Sequence, residues 1–490
     1  MQESSDKKSA AVENNSDPSV SGQSSDRISN NGSSSASAAQ DMPGKVSKLS
    51  VGGIILLGML AAFGPVTTDL YLPAIPEITR DLATDAASMQ LTLTTSFLGL
   101  ALGQLIIGPL SDAYGRRVPL LTSLVVFVIS SVWCAFAADV HQLITARFFQ
   151  GLAGAGGIVL CRTIACDLYS GADLPRFMSL LMTINALAPI LGPIAGSGIV
   201  AVFTWPAVFV FLALWGVALI GGTVKNVPET LPKEKRSSHL LVTLKEMLNE
   251  LTNGRFLLYS MALSFIMGSF FAYLAASPFV FQSIFGLSPS GYSLVFGINA
   301  FAITVAANIA GRAVRFVKER AIVTTAIVVQ FICCLVFAGI LITSYANIYN
   351  IAAVFGVFVS MMGVAQTAGF GIVMGSRSGG SGSAAGIFGV LTFFFGALTT
   401  PLVGLMGEDS MVPTLLTMFV CTIMAYVCFI TASRCKNSSL ADHEAENEAR
   451  ERAQAAAAAE APADCVPADA VPACATVEAE VQDAQRQNRI

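Results

Sequence analysis

Charge is scarce in this chain, and it is nearly missing from the longest parts of it. Only 12% of the 490 residues are Asp, Glu, Lys or Arg, against 54% hydrophobic, and there are just three histidines and three tryptophans. A soluble globular domain carries about 25% charged residues, so this composition excludes one. The first 44 residues are a Ser, Asn and Gly mixture without an apolar run; we expect no cleavable signal peptide there, and a disordered segment. No glycine-rich loop of the Walker type occurs, so ATP is not expected as an energy source. Cys134, Cys161, Cys166, Cys333, Cys334, Cys421 and Cys428 lie in or at the ends of apolar stretches and read as packing residues. Cys465 and Cys474 have no His at zinc-ligand spacing, so neither a metal site nor a disulfide framework is expected.

What the chain has instead is length without charge. Twelve apolar stretches fall at roughly 50–73, 88–110, 118–138, 142–164, 177–200, 206–224, 256–280, 290–311, 321–344, 347–374, 383–406 and 412–433. Each is long enough to cross a hydrocarbon core of about 30 Å as a helix rising about 1.5 Å per residue. In lipid the backbone must satisfy its own hydrogen bonds, which a helix does. The fold class expected is therefore an all-α membrane protein of twelve transmembrane helices in two six-helix bundles.

Orientation follows from the basic residues, which concentrate in short cytoplasmic loops. With the N-terminus inside, the inner loops hold Arg116, Arg117, Arg176, Lys225, Lys233, Lys235, Arg236, Lys245, Arg255, Arg312, Arg315, Lys318, Arg320 and Arg377, while the outer loops hold only Arg80. Both termini are expected in the cytoplasm. The formal net charge of −4 hides this asymmetry, because the tail beyond Lys436 is acidic and the membrane body is net basic.

The longest inner connection divides the spans six and six. We expect a disordered segment at 1–47, a first bundle at 48–224, a linker at 225–255, a second bundle at 256–434 and an acidic Ala-rich tail at 435–490. Within that tail, 442–460 has helix-forming composition with acid and base at helical spacing. Two echoes suggest that the halves are repeats. Tyr71-Leu72-Pro73-Ala74-Ile75-Pro76 matches Tyr273-Leu274-Ala275-Ala276-Ser277-Pro278 at four of six positions, and Pro193-Ile194-Ala195-Gly196 pairs with Pro401-Leu402-Val403-Gly404.

Several residues carry chemistry. The loop after span two reads Gly108-Pro109-Leu110-Ser111-Asp112-Ala113-Tyr114-Gly115-Arg116-Arg117. Gly108 would permit close helix approach, Asp112 accept from a basic group, and Gly115 allow a tight turn, so the loop could latch the inner face. Arg147 stands inside span four, where an arginine costs about 2.5 to 3.5 kcal/mol at a helix centre; it either serves function or snorkels to the headgroups. Arg162, near the inner end of the same helix, reads as interfacial, with Asp112 or Asp167 as candidate partners. Asp69 is the sole carboxylate within the apolar spans, at a depth similar to Arg147, and is the best proton site; the plain alternative is a helix-end carboxylate that never titrates. Pro189, Gly192, Pro193 and Gly196 in span five would kink the helix and let a neighbour approach. Mid-membrane polar and aromatic groups, with Tyr71, Asn185, Tyr273, Asn299 and Gln366 foremost, are candidates to line a central cavity, mostly apolar and aromatic, that suits amphipathic molecules.

Taken together, the loop from Gly108 to Arg117 resembles motif A of the major facilitator superfamily. Arg147-Phe148-Phe149-Gln150-Gly151-Leu152 resembles its motif B, and Ala188 to Gly196 resembles motif C, which characterises antiporters. Asp69 to Pro76, with Ser277-Pro278-Phe279-Val280-Phe281-Gln282, is similar to the bicyclomycin-resistance (Bcr/CflA) type of drug-proton antiporter. Two departures stand out: Ala113 takes a position usually basic in motif A, and Val118-Pro119 inverts the expected order. The resemblance implies two bundles rocking about a central cavity, export driven by inward proton flow, and a cytoplasmic-membrane location. The expected partners are a small-molecule substrate, the proton and the lipid bilayer, with no nucleic acid, no enzyme activity and no cofactor beyond the proton gradient, in a monomer. Export of a small metabolite such as an amino acid is the nearest alternative; a channel or receptor fits less well, since the outer loops are short and no sensing domain is present.

Overall fold

The computed structural model describes residues 51–169, 173–233, 236, 247–343, 345–378, 380–407 and 410–434. The expected disorder at 1–47, the tail helix at 442–460 and both tail cysteines lie outside these residues.

Every regular element among the described residues is helical. Spans two to six run Ala86–Tyr114, Arg117–Ala135, Val140–Leu168, Asp173–Val202 and Pro206–Asn226. Spans seven to twelve run Gly254–Pro278, Pro289–Ala313, Glu319–Ile342, Ile348–Gly375, Ser381–Val403 and Val412–Arg434. These bounds follow the hydropathy pattern closely because side chains that stop a helix sit at its edges. The carboxyl of Asp85 accepts from the Ser88 amide at 3.1 Å and that of Asp139 from the Gln142 amide at 2.9 Å. Bonds from Ser88 hold Asp85 below the usual carboxylate range, and the Gln142 amide does the same for Asp139. Asn253, Ser288 and Asn347 cap spans seven, eight and ten in the same way.

Span one departs from expectation. In place of one straight helix ending near 73, it is broken into Val51–Ala61 and Phe63–Asp69, continues through a 3₁₀ turn at Leu72–Ala74 and ends in Ile75–Asp81. The two parts bend by 57°. Pro65 removes the amide that would bond to Ala61, and Pro73 and Pro76 start the tight turn and the last piece. Span seven also changes form near its end, passing into a wide π-helical turn over Phe279–Ile284 just after Pro278. The two segments that echo each other in sequence therefore both end in irregular helix.

The spans pack as two sets of six. In the first, span four lies against spans two and three, and span one against spans four, five and six; in the second, span seven packs on spans ten, eleven and twelve, and span ten on spans eight and nine. The sets meet where span two touches span eleven and where span five touches span eight. Backbone-close contacts need residues without a Cβ. A Cβ at Gly99 would strike the Phe148 carbonyl, one at Gly103 the Leu152 carbonyl, and one at Gly151 the Ser96 carbonyl, so spans two and four are pressed backbone to backbone.

The two ends of the molecule differ. At the end opposite the basic loops, side chains bond across the seam: the Gln90 amide donates to the Ala275 carbonyl at 2.8 Å and the Ser293 hydroxyl to the Pro193 carbonyl at 2.7 Å. At the basic end the sets stand apart around a cavity of about 690 Å³.

Span five supplies a matched test of this packing. A Cβ at Gly196 would strike the Leu70 carbonyl, whereas one at Gly198, on the same helix, meets nothing within 4 Å. Gly196→Leu is expected to cost about 1 to 3 kcal/mol and Gly198→Leu less than about 0.5 kcal/mol. Thermal unfolding of the purified variants in detergent checks this; equal losses at both sites would remove the assigned contact.

Candidate functional site

Arg147 does not snorkel. It is wholly buried, at 0% exposure, between spans one, three and four. Its Nη1 donates to Gln150 Oε1 at 2.6 Å, Gln150 Nε2 donates to Ser131 Oγ at 2.8 Å, and the guanidinium lies 4.6 Å from the centre of the Tyr71 ring. A cation over an aromatic face is attracted by the ring's electron density. Nε and Nη2 are buried with no hydrogen-bond partner among the described residues, so two donors remain open. The depth that composition placed in the apolar span is real, and what sequence could not show is that the first bundle encloses it.

Asp69 is buried at 3% exposure, and among the described residues its side chain makes no hydrogen bond or ion pair. It shares a depth with Arg147 without pairing to it. The reason is local: Tyr71, two residues on, turns inward to cover Arg147, while Asp69 faces span five, where a Cβ on Gly192 would lie 3.0 Å from its own Cβ. The turn just after it, Leu72–Ala74, packs on spans seven and eight of the second set. Asp69 thus sits at the seam, with the motif C helix on one side and the second bundle beyond.

Motif C does two things here. Gly192 and Gly196 receive Asp69 and Leu70 of span one, within the same half, and the Pro193 carbonyl takes the Ser293 hydroxyl from the other half. Pro189 is half-buried on the same helix. Ser293 and Gln90 were not singled out from sequence; a lone Ser or Gln at a span end carries no signal without knowing which carbonyl it meets.

The motif A loop is tightly knit, with one surprise. Arg116 pairs with Asp112 and, at 3.1 Å, with Asp167, and donates to Ser111 Oγ at 2.7 Å. Asp167 is therefore held by Arg116, not by Arg162, which is exposed. Gly115 takes φ 91°, a conformation that favours glycine. Glu229, in the connection after span six, accepts from the Arg116 and Arg117 amides at 2.8 and 3.3 Å and pairs with Arg236 at 3.7 Å. Arg117 donates to the Val224 carbonyl at 2.9 Å. Glu229 anchors the loop where Ala113 offers no charge, and it was missed because a linker glutamate is ordinarily solvated. Gly108 makes no close helix contact: nothing lies within 4 Å of where its Cβ would be, since the halves have separated there and it borders the cavity.

That cavity is lined from the first half by Gln104, Gly108, Asp112, Arg116 and Thr163 among others, from the end of the linker by Met247 and Glu250, and from the second half by Ser378, Gly380, Gly382, Ser383 and Gly386. None of the five residues expected to line a cavity borders it. Tyr71 is buried and shares a 2.8 Å hydrogen bond with Thr92, Tyr273 accepts from Asn299 at 3.1 Å and stacks on Phe296, and Gln366 donates to the Leu263 carbonyl at 3.0 Å. Asn185 is half-buried on span five. The lining mixes polar side chains with glycine and apolar surface where an apolar and aromatic one was expected; aromatic side chains pack within the bundles and, at Phe97 against Phe271 and Phe393, across the seam.

The comparisons agree with this architecture. A family model described as the Major Facilitator Superfamily matches residues 54–401. An uncharacterized MFS-type transporter, YdgK of Bacillus subtilis, is 37% identical over 377 residues, covering 76% of this chain and 93% of that protein. A bicyclomycin resistance protein homolog of Haemophilus influenzae is 29% identical over 396 residues, covering 78% and 97%. Among solved structures a D-xylose-proton symporter superposes at a TM-score of 0.62 with 14% identity, covering 78% of this chain and 97% of that one, which shows the fold. The resemblance to the bicyclomycin-resistance type thus extends over most of the membrane region. The chain is a multi-pass membrane transporter, not an enzyme, and belongs to the major facilitator superfamily.

Proposed function

We propose that this protein exports drug-like or amphipathic small molecules in exchange for protons, as a monomer in the bacterial inner membrane with both termini in the cytoplasm. One observation carries the reading: a cavity of about 690 Å³, large enough for a single drug-sized molecule, opens between the halves at the basic end, while side chains bridge the seam at the other. Basic loops mark the cytoplasmic face, and an opening on that face is what an exporter needs to load its solute. The relative named for bicyclomycin resistance supports the direction.

Asp69 is the residue proposed to carry the proton. Burying a lone ionised carboxylate is costly, and its place at the seam between span five and the second bundle exposes it whenever the seam parts. Arg147 supplies positive charge at the same depth, with two open donors behind Tyr71. Movement of span one relative to span four would bring the carboxylate and guanidinium together as the proton leaves. Export of a small metabolite is the second reading, favoured by the polar lining of the cavity.

Two outcomes follow. In proteoliposomes under an imposed pH gradient, Asp69→Asn should lower driven transport and proton movement to the level of protein-free liposomes while keeping substrate binding. Arg147→Lys should keep more coupling than Arg147→Ala, because it retains charge without the planar fork. Undiminished proton movement by Asp69→Asn would move the site elsewhere. For the latch, Asp112→Asn should leave stability within about 1 kcal/mol, since the side chain is 38% exposed and its ion pair is screened, yet reduce transport in vesicles. Full activity would leave the loop as a topology signal only.

A further inference from the structure

The basic loops that join span two to span three and span eight to span nine hold matching places in their halves, yet their cations are used differently. In the first loop Arg116 is buried on Asp112 and Asp167, and Arg117 donates to the Val224 carbonyl. The second loop runs from the last turn of span eight into the first turn of span nine, and sets Arg312, Arg315, Lys318 and Arg320 against a single carboxylate, Glu319. All four cations are exposed, and none has a side-chain partner among the described residues. Glu319 pairs with none of them. It is half-buried against span ten, where a Cβ on Gly371 would lie 2.9 Å from its carboxyl oxygen.

The backbone gives this loop a defined form. The Arg315 amide donates to the Arg312 carbonyl at 3.2 Å, and the Phe316 and Val317 amides both donate to the Ala313 carbonyl at 2.9 Å. The turn so formed presents Phe316 at 87% exposure among the cations, with Val317 beside it at 47%. An apolar ring flanked by unpaired cations is poorly placed in water. It suits the boundary between headgroups and acyl chains, where phosphate meets the charges and hydrocarbon receives the ring.

We infer that this loop is a docking surface for anionic phospholipids of the inner leaflet, with Arg312, Arg315, Lys318 and Arg320 meeting the phosphate and Phe316 entering the acyl boundary. The sign of the charge, the exposed ring and the position at the cytoplasmic ends of two spans together select lipid as the occupant. The inference is independent of the solute and of the proton. It gives the halves different anchors: the first loop is held by the protein's own linker through Glu229, the second by the bilayer.

The test is lipid binding to the full-length protein in detergent, read by native mass spectrometry, with phosphatidylglycerol (anionic) and phosphatidylcholine (zwitterionic) as probes. Phosphatidylglycerol should bind at least about fivefold more tightly. Arg315→Gln with Lys318→Gln should weaken it by about tenfold and leave phosphatidylcholine within about twofold. Arg162→Gln with Arg377→Gln removes two exposed cations from elsewhere on the same face and should leave both lipids within about twofold. Phe316→Ser should weaken both lipids alike, by about threefold. Equal binding of the two lipids, equal losses from the two double variants, no loss from Arg315→Gln with Lys318→Gln, or no effect of Phe316→Ser would each overturn the inference. A benzophenone side chain placed at position 316 of the full chain, in liposomes of both lipids, should cross-link to phospholipid. Cross-linking to the acidic tail beyond Lys436 would make that tail the occupant and overturn the assignment to lipid.

Discussion

Lipid removes the hydrophobic force between helices, because the tails are as apolar as the side chains they would release. Everything in this molecule that holds one span to another must therefore come from shape and from hydrogen bonds. The glycines of spans two and four answer the first need, letting two backbones meet where any side chain would hold them apart. The Gln90 and Ser293 bonds answer the second, at the seam where the two halves must join in one state and separate in another. Contacts inside a half are steric; at the closed end the seam combines steric contact, as of Gly404 against Ala86 and Ala87, with directed hydrogen bonds. The directed bonds give that joint its register.

Arg147 shows how far this economy goes. A cation with no carboxylate partner is ordinarily expelled from such a place. Here it is kept by an aromatic face, one glutamine and the wall of the first bundle. The Tyr71 that covers it belongs to the same short segment as Asp69, so span one carries the carboxyl and the lid of the guanidinium two residues apart. Any shift of that segment changes the surroundings of both charges together. The second half repeats the tyrosine without the arginine: Tyr273 is held by Asn299 of span eight, as Tyr71 is by Thr92 of span two.

Much of this was legible in the sequence. Most span positions, the two sets of six, the close approach permitted by the motif C glycines and the turn at Gly115 all follow from residue type and local pattern, because each is decided by what one short segment can or cannot do in lipid. What was not legible is partnership. Asp167 belongs to Arg116 and not to Arg162, Gln366 bonds a neighbouring helix and lines no cavity described here, and Gln90, Ser293 and Glu229 matter only through carbonyls and amides a hundred or more residues away. The bend in span one is intermediate: Pro65, Pro73 and Pro76 announce irregular helix, and hydropathy, being blind to direction, still draws a straight rod.

The wide turn at the end of span seven has a further meaning. Phe279 gives its amide to Ala276, and the Ala275 carbonyl that a regular helix would offer it is taken by Gln90 of the other half. The second bundle has in effect lent one of its own backbone bonds to the first. When the halves part at that end, the loan is returned: the carbonyl must find water or the turn must tighten. The seam at that end and the wide turn of span seven thus meet at one backbone group, the Ala275 carbonyl.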